Sequence, residues 1–166
     1  MNHSLNLMTL LFLLISLFVS TTNLVANDVI FETYEVVDGD TLKKNNKRYR
    51  LQGIDAPELK QICKIKEKKW SCGKDSKKYL IELHKDNGFY CIKIGEDFYK
   101  RDLVKCYIKT SKGLEDIGSL MVREGYALSY RKYSKDYNDE EELAKLSKNG
   151  MWKGDFENPW EWRKKN

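Results

Sequence analysis

The sequence predicts an α+β domain, because short segments rich in β-branched and aromatic residues alternate with segments of helical periodicity. The 166 residues are enough for one domain with its own core. Five strands are predicted, at residues 29–37, 41–44, 48–54, 89–94 and 103–108. Three helices are predicted, at residues 73–87, at 116–124 and in a last segment that Asn138 or Asp139 caps and Gly150 ends.

Local patterns support the helices and the segments between them. The first helix has one face made of Ser76, Tyr79, Leu80 and Leu83, and Asn87-Gly88 is a stop signal. Acidic residues 139–142 crowd the first turn of the last helix, where the helix dipole favours them, so we interpret them as helix electrostatics. The lysine-rich segment 59–71 is predicted to be a loop. The aromatic tail, residues 151–162, is predicted to pack back on the core.

Composition and charge exclude little beyond disorder. Hydrophobic residues make up 41% and charged residues 33% of the chain, as in globular proteins. The formal net charge is +5 and the calculated pI is about 8.9. A basic surface is compatible with a polyanionic partner, but many basic proteins bind neither nucleic acid nor membranes. The charge by itself therefore assigns no function.

The first 26 residues have the pattern of a secretory leader. They contain no Asp, Glu, Lys or Arg, and a nearly unbroken apolar run at 7–19 precedes the small residues that end at Ala26. An uncleaved anchor is the alternative, but the run is shorter than the roughly 20 residues of a membrane span. We expect cleavage after Ala26 and a secreted or periplasmic domain of residues 27–166. This mature domain is expected to be a monomer without stable membrane association.

Four cysteines follow the leader, and an even number in an exported protein indicates disulfide bonds. Neighbours in sequence favour Cys63–Cys72 and Cys91–Cys106 among the three pairings that four cysteines allow. The second bond would cross-link two strands of a hairpin. The alternatives are a zinc site or a redox function, but no two cysteines are separated by two residues and only His84 lies nearby.

Two acidic turns flank a short hairpin. The first is Asp38-Gly39-Asp40-Thr41, and the second, Asp55-Ala56-Pro57-Glu58, follows an apolar run. Asn45-Asn46 is predicted at the tip of the hairpin, because Asn tolerates the positive φ of such a turn. The hairpin would bring the acidic turns together, and carboxylates that gather need a positive charge between them. A hard divalent cation meets this need and would leave Arg50 free for an anionic substrate.

Three motifs occur in order: D-G-D-T at 38–41, R-L-Q-G-I-D-A-P-E at 50–58 and D-F-Y-K-R at 97–101. Together they resemble the thermonuclease family, the staphylococcal-nuclease-like domains, from about residue 31 to the C-terminal tryptophans. The resemblance implies an OB-type Greek-key β-barrel of five strands. It also implies a calcium-dependent endonuclease that cleaves DNA and RNA with little sequence selectivity and leaves 3′-phosphate ends.

The resemblance also implies roles for individual residues. Asp40, Asp55 and the backbone carbonyl of Ala56 would bind one Ca²⁺ ion. Glu58 would be the general base, and Arg50 and Arg101 would contact the scissile phosphate. Tyr99 could stack on a base, and so could Tyr133 or, in another register, Tyr130. Asp38 either shapes its turn or supports the ligands.

This chain departs from the family pattern at three places. Lys100 replaces the usual Gly before the second arginine, which costs about 1 kcal/mol if that position requires a positive φ. Ala56 stands where the archetype has Thr, although a carbonyl ligand does not depend on the side chain. The cysteine-bearing lysine loop is absent from the archetype and resembles exported bacterial members.

Each motif alone has a simpler interpretation. Asp-Gly is a common turn pair, Arg50 can pair with either acid, and Arg101 can be a solvated turn residue. The chain could then be a nucleic-acid-binding module of the same fold without catalysis. The joint presence of Asp40, Asp55, Glu58 and both arginines favours an enzyme.

Overall fold

The computed structural model describes residues 31–86 and 88–166. The predicted leader, residues 1–26, and Asn87 at the predicted end of the first helix lie outside this part. The strands are β1 (Glu35–Val36), β2 (Thr41–Lys44), β3 (Lys47–Leu51), β4 (Ile54–Asp55), β5 (Cys63–Ile65), β6 (Lys68–Trp70), β7 (Tyr90–Glu96), β8 (Asp102–Thr110), β9 (Gly113–Asp116) and β10 (Leu128–Ser129). The helices are α1 (Cys72–His84), α2 (Ile117–Arg123), α3 (Asn138–Ser147) and α4 (Pro159–Lys165), with a 3-10 turn at Gly150–Lys153.

The main sheet has the strand order β1-β2-β3-β8-β7, and β9 extends it by pairing with β8. Strand β3 runs parallel to β8, whereas the other neighbours in this sheet are antiparallel. The sheet is strongly curled into a half-barrel that is consistent with an OB-type fold. The predicted α+β class and OB-type barrel are therefore confirmed.

The hairpin between the acidic turns forms as predicted. Asn45 and Asn46 both have positive φ, 50° and 62°, and Lys44 pairs with Lys47 across the two-residue turn. This register places Thr41 opposite Arg50. The arginine therefore lies beside the end of the first acidic turn.

Two apolar clusters hold the fold together. The larger one lies between the curled sheet, α1 and α2, and its fully buried side chains include Leu42, Leu80, Phe89, Ile117 and Met121. Ser76 and Leu80 are the buried members of the predicted α1 face. The smaller cluster contains both cysteines of the first predicted disulfide, and aromatic residues of the tail pack against it. This confirms that the tail folds back.

The structure differs from the sequence-based expectation in several places. Strands β9 and β10 were not predicted. The predicted loop 59–71 contains the β5–β6 hairpin, whose tip is turned by Lys66 at a φ of 54°. The tail forms a fourth helix, α4, with Pro159 at its first turn. Helix α3 begins after Tyr137 without a side-chain cap, so neither Asn138 nor Asp139 caps it.

Both predicted disulfides are present, Cys63–Cys72 and Cys91–Cys106. The second joins directly paired positions of β7 and β8, as the hairpin prediction required. All four cysteines are thus paired, and no thiol is free to bind zinc in this structure. In the part of the chain that is described, no helix is long and apolar enough to cross a bilayer.

Candidate active site

The two acidic turns meet directly. A Cβ placed on Gly39 would lie 2.6 Å from the Ala56 Cβ and 2.0 Å from the Ser76 Oγ, so only glycine fits between the second turn and helix α1. The Ala56 amide donates a hydrogen bond of 2.7 Å to Asp40 Oδ2. The structure thus brings Asp40 and Asp55 to one place, although they are fifteen residues apart in the sequence.

Arg50 lies between the two aspartates. Its Nη1 is 2.9 Å from Asp40 Oδ2, and its Nη2 is 2.8 Å from Asp55 Oδ1. Asp55 is 0% exposed and the Arg50 side chain only 11%. In this structure the Arg50 guanidinium therefore supplies positive charge between the two acids, and the expectation that a bound cation leaves it free for an anionic substrate stays a prediction.

The crowding of carboxylates shifts their pKa values. Burial and the neighbouring Asp40 raise the pKa of Asp55 to about 6, against the opposing effect of its arginine partners. Burial and Asp40 also raise the pKa of Asp38 to about 6. Asp38 Oδ1 accepts a hydrogen bond from the Asp40 amide, so Asp38 shapes the first turn. The cluster consequently favours any additional cation that can reach it.

Glu58 is held at the end of the second turn. Its backbone carbonyl accepts a 2.7 Å hydrogen bond from the Gln61 amide, and its own amide donates to Gln61 Oε1. Helix α1 packs closely on this turn, because a Cβ on Gly73 would lie only 1.8 Å from the Glu58 carbonyl oxygen. The backbone of Glu58, the predicted base, is thus fixed by the start of α1 and by the residues that follow Glu58 up to Gln61.

Sequence reasoning missed one residue of the site, Arg163 of helix α4. Its Nη1 donates to Glu58 Oε1 at 2.9 Å, and its Nη2 contacts both oxygens of Asp55 at 3.0 and 2.9 Å. Asn158-Pro159 was a usable signal for a helix in the tail, since Pro is common at the first helical position. Nothing local in the sequence indicated where that helix would dock.

The opposite side of the site is the turn between β7 and β8. Asp97 stabilises this turn. Its Oδ1 accepts hydrogen bonds from the backbone amides of Tyr99 and Arg101, and its Oδ2 accepts one of 2.7 Å from the Nε of Arg101. Lys100 has a φ of 63°, the left-handed conformation for which Gly is usual. Phe98 and Tyr99 are 93% and 77% exposed. The Arg101 guanidinium lies 5.7 Å from the centre of the Tyr99 ring.

Residues from both sides line one cleft of about 1000 Å³, whereas Asp55 is fully buried and is not among the lining residues. We call Asp38, Asp40, Arg50, Asp55 and Glu58 the acidic wall and residues 97–101 the aromatic wall. Tyr133, which is 65% exposed, and Tyr130 also line the cleft. Tyr130 is instead stacked on Trp160 at 5.5 Å between ring centres, so Tyr133 is the more accessible candidate for base stacking.

The acidic wall presents carboxylate oxygens, the donors that a hard divalent cation prefers. No group of three or more His, Cys, Asp or Glu residues suited to a metal occurs in residues 31–86 and 88–166. Two carboxylates do converge, and both contact the same guanidinium. The acidic wall and Arg163 together contain four carboxylates and two guanidiniums, a formal excess of two negative charges. Hard oxygen donors with this excess fit one divalent ion whose other ligands are water and carbonyl oxygens.

Comparisons with known proteins agree with the family that the motifs indicate. The family model described as staphylococcal nuclease homologue matches residues 48–154. This range contains Arg50, Asp55, Glu58 and Arg101, whereas Asp40 and Arg163 lie outside it.

Three relatives illustrate the range of similarity. An uncharacterized endonuclease of Haemophilus influenzae is 34% identical over 71% of this chain and 63% of its own length. The succinoglycan biosynthesis protein ExoI of Rhizobium meliloti is 29% identical over 77% of this chain and 67% of its own length. The micrococcal nuclease of Shigella flexneri is 29% identical over 80% of this chain and 79% of its own length. The chain thus spans about two thirds of the length of the first two relatives.

Proposed function

Because the chain belongs to the staphylococcal nuclease homologue family, we propose that it is an endonuclease that hydrolyses phosphodiester bonds of DNA and RNA. We further propose that it requires Ca²⁺, has low sequence selectivity and leaves 3′-phosphate ends, as its motifs imply. Two relatives with nuclease names support the reaction class. The proposed ligands are Asp40, Asp55 and the carbonyl of Ala56, and the proposed substrate platforms are Tyr99 and Tyr133.

One observation supports the proposal most strongly: two carboxylates from different turns share the Arg50 guanidinium, which lines a cleft together with Asp40, Glu58 and Arg101. Phosphodiester hydrolysis needs an oriented water and positive charge around phosphorus, and this cleft contains residue types for both. A purely structural ion pair would not require the second arginine or the exposed aromatic residues across the cleft.

In the proposed reaction, Glu58 accepts a proton from the attacking water while the water oxygen forms a bond to phosphorus. The bond between phosphorus and the 5′ oxygen breaks, and that oxygen leaves with a proton from solvent. Arg101 donates hydrogen bonds to the phosphate oxygens, as does Arg50 once it is released from the aspartates. Both guanidiniums stay charged at neutral pH, so this stabilisation needs no proton transfer.

A bound divalent ion would supply the Lewis acid for the phosphate and the positive charge that Arg50 now gives to Asp40 and Asp55. Removal of the ion would leave Arg50 committed to the two aspartates. The chain's own residues therefore account for a strict metal requirement without a histidine.

Digestion of plasmid DNA and of RNA tests the proposal. Cleavage is expected with Ca²⁺ and is expected to stop on addition of a chelator. The products should accept label from polynucleotide kinase without phosphatase treatment, because their 5′ ends carry free hydroxyls. Glu58→Gln should reduce kcat by about 10²-fold or more. A variant as fast as the parent would exclude Glu58 as the base.

A non-catalytic nucleic-acid-binding module of the same fold is the alternative, and it predicts DNA binding without cleavage, with or without Ca²⁺. We also propose that the protein acts in an oxidising compartment, the periplasm or the exterior. The two disulfide bonds support this location, because such bonds persist in oxidising compartments.

A further inference from the structure

Helix α4 places a cation in the acidic wall that the proposed mechanism does not use. The guanidinium of Arg163 spans two carboxylates of different assigned roles, Glu58 and Asp55. Its sequence separation from them is 105 and 108 residues. Both oxygens of Asp55 are engaged by this arginine, and Oδ1 is shared with Arg50.

The other cations of the same helix behave differently. Lys164 pairs with Glu161 within α4, and Lys165 pairs with Glu157 just before it. These are exposed local pairs of the kind that contribute little to stability. Arg163 alone among the three reaches the acidic wall, so its position is not a general consequence of a basic C-terminal helix.

The helix is firmly anchored where it delivers Arg163. Trp160 stacks on Tyr130 with an interplanar angle of 9°. The fully buried Gln61 donates through Nε2 to the Glu157 carbonyl at 2.6 Å, and its Oε1 accepts from the Glu58 amide. Gln61 therefore connects the turn that carries Glu58 to the segment that precedes Arg163. The Gln61 side chain thus links the two backbone segments that carry Glu58 and Arg163.

We propose that Arg163 is a positioning residue of the active site: its Nη1 orients Glu58, and its Nη2 competes with the divalent ion for Asp55. The inference rests on the proposed function. A planar fork can hold two carboxylates at a fixed separation, which a single ammonium cannot do. The same contact occupies oxygens that an ion would use, and its positive charge opposes the ion. Arg163 therefore favours turnover and disfavours ion binding.

These opposite effects give a test that a merely structural role would fail. Arg163→Gln should lower kcat by about 10²-fold, because Glu58 loses its orientation. The same variant should bind Ca²⁺ about tenfold more tightly in calorimetry without substrate, because one positive charge is removed beside the ion. Arg163→Lys should keep the parent's Ca²⁺ affinity within a few-fold, because the positive charge remains, but its kcat should be as low as that of Arg163→Gln. Lys164→Gln is the matched control on the same helix and should change neither quantity.

The inference is overturned if Arg163→Gln keeps kcat within threefold of the parent, or if its kcat and Ca²⁺ affinity fall together. Thermal unfolding of each variant in chelator shows whether a joint fall in kcat and Ca²⁺ affinity comes from misfolding. If Arg163→Gln is misfolded, the kcat of Arg163→Lys decides: a low kcat supports the inference, and a kcat close to the parent's overturns it. If the parent cleaves nothing in any metal, the proposed function fails instead. The substrate-free Ca²⁺ titration still decides whether Arg163 competes for Asp55.

Discussion

On one side of the cleft the acidic wall is partly or fully buried and bonded internally, whereas on the other side the aromatic wall is an exposed turn held by Asp97. Arg50 is 11% exposed and contacts two aspartates, while Arg101 is 27% exposed and contacts one. The resemblance assigns both arginines to the same phosphate. Their surroundings differ because one lies on a barrel strand and the other at a strand's end. The acidic wall should therefore combine stability with chemistry, and the aromatic wall should serve substrate contact.

The largest expected difference between the walls is in stability. Arg50→Gln should lower the free energy of unfolding by about 3 kcal/mol, because it leaves two buried carboxylates short of a counter-charge. Arg101→Gln should lower it by less than about 1 kcal/mol, because its ion pair is partly solvated. Urea unfolding in chelator measures both. Equal losses would show that the walls do not differ in this respect.

A smaller effect is expected on turnover at the aromatic wall. Arg101→Lys should reduce kcat by about 10²-fold, because an ammonium cannot give two parallel hydrogen bonds to the phosphate. Steady-state kinetics on a short DNA oligonucleotide in Ca²⁺ separates kcat from KM. Lys105→Gln in the adjoining strand β8 is the control, since its partner Asp136 lies outside both walls. A change in KM alone would mean that Arg101 binds substrate without stabilising the transition state.

Removal of an exposed ring should mainly weaken binding. Tyr99→Ala should raise KM by about 5- to 150-fold, which corresponds to about 1–3 kcal/mol per stacked base. Tyr99→Phe retains the ring face and should stay close to the parent. If Tyr99→Ala instead lowers kcat at an unchanged KM, the residue orients Arg101 rather than the substrate.

The smallest effect concerns the backbone of the aromatic wall. Lys100 has a φ of 63°, so Lys100→Gly should raise the free energy of unfolding by about 1 kcal/mol. Lys112→Gly, at a turn residue without positive φ, should not stabilise the protein. Urea unfolding of the two variants checks this difference. A stabilisation in the control and none at Lys100 would show that the strain is not located there.

The parts that the sequence predicted correctly depend on local chemistry. Asn45 and Asn46 accept positive φ, which defined the hairpin and its register. Cys91 and Cys106 flank one turn and meet on paired strands. The convergence of Asp40 with Asp55 followed from the hairpin between them.

The parts that were not predicted depend on long-range packing. Arg163 approaches the acids because α4 stacks on Tyr130 and is tied through Gln61, and no sequence pattern encodes such docking. The contacts of Arg50 with both aspartates were likewise not predicted, because the burial of the two acids around one guanidinium depends on the folded structure. The segment that forms β5 and β6 was interpreted as a loop, because its hairpin is joined to the returning tail by the long-range Lys64–Asp155 bridge.

The account depends most on the claim that Asp40 and Asp55 share one divalent ion. Calorimetric titration of the substrate-free protein with Ca²⁺ tests it directly. We expect one ion per chain, and we expect Asp40→Asn and Asp55→Asn each to weaken binding at least about tenfold, since each removes a charged oxygen ligand. A parent that binds no Ca²⁺, or variants that keep its affinity and stoichiometry, would contradict the account.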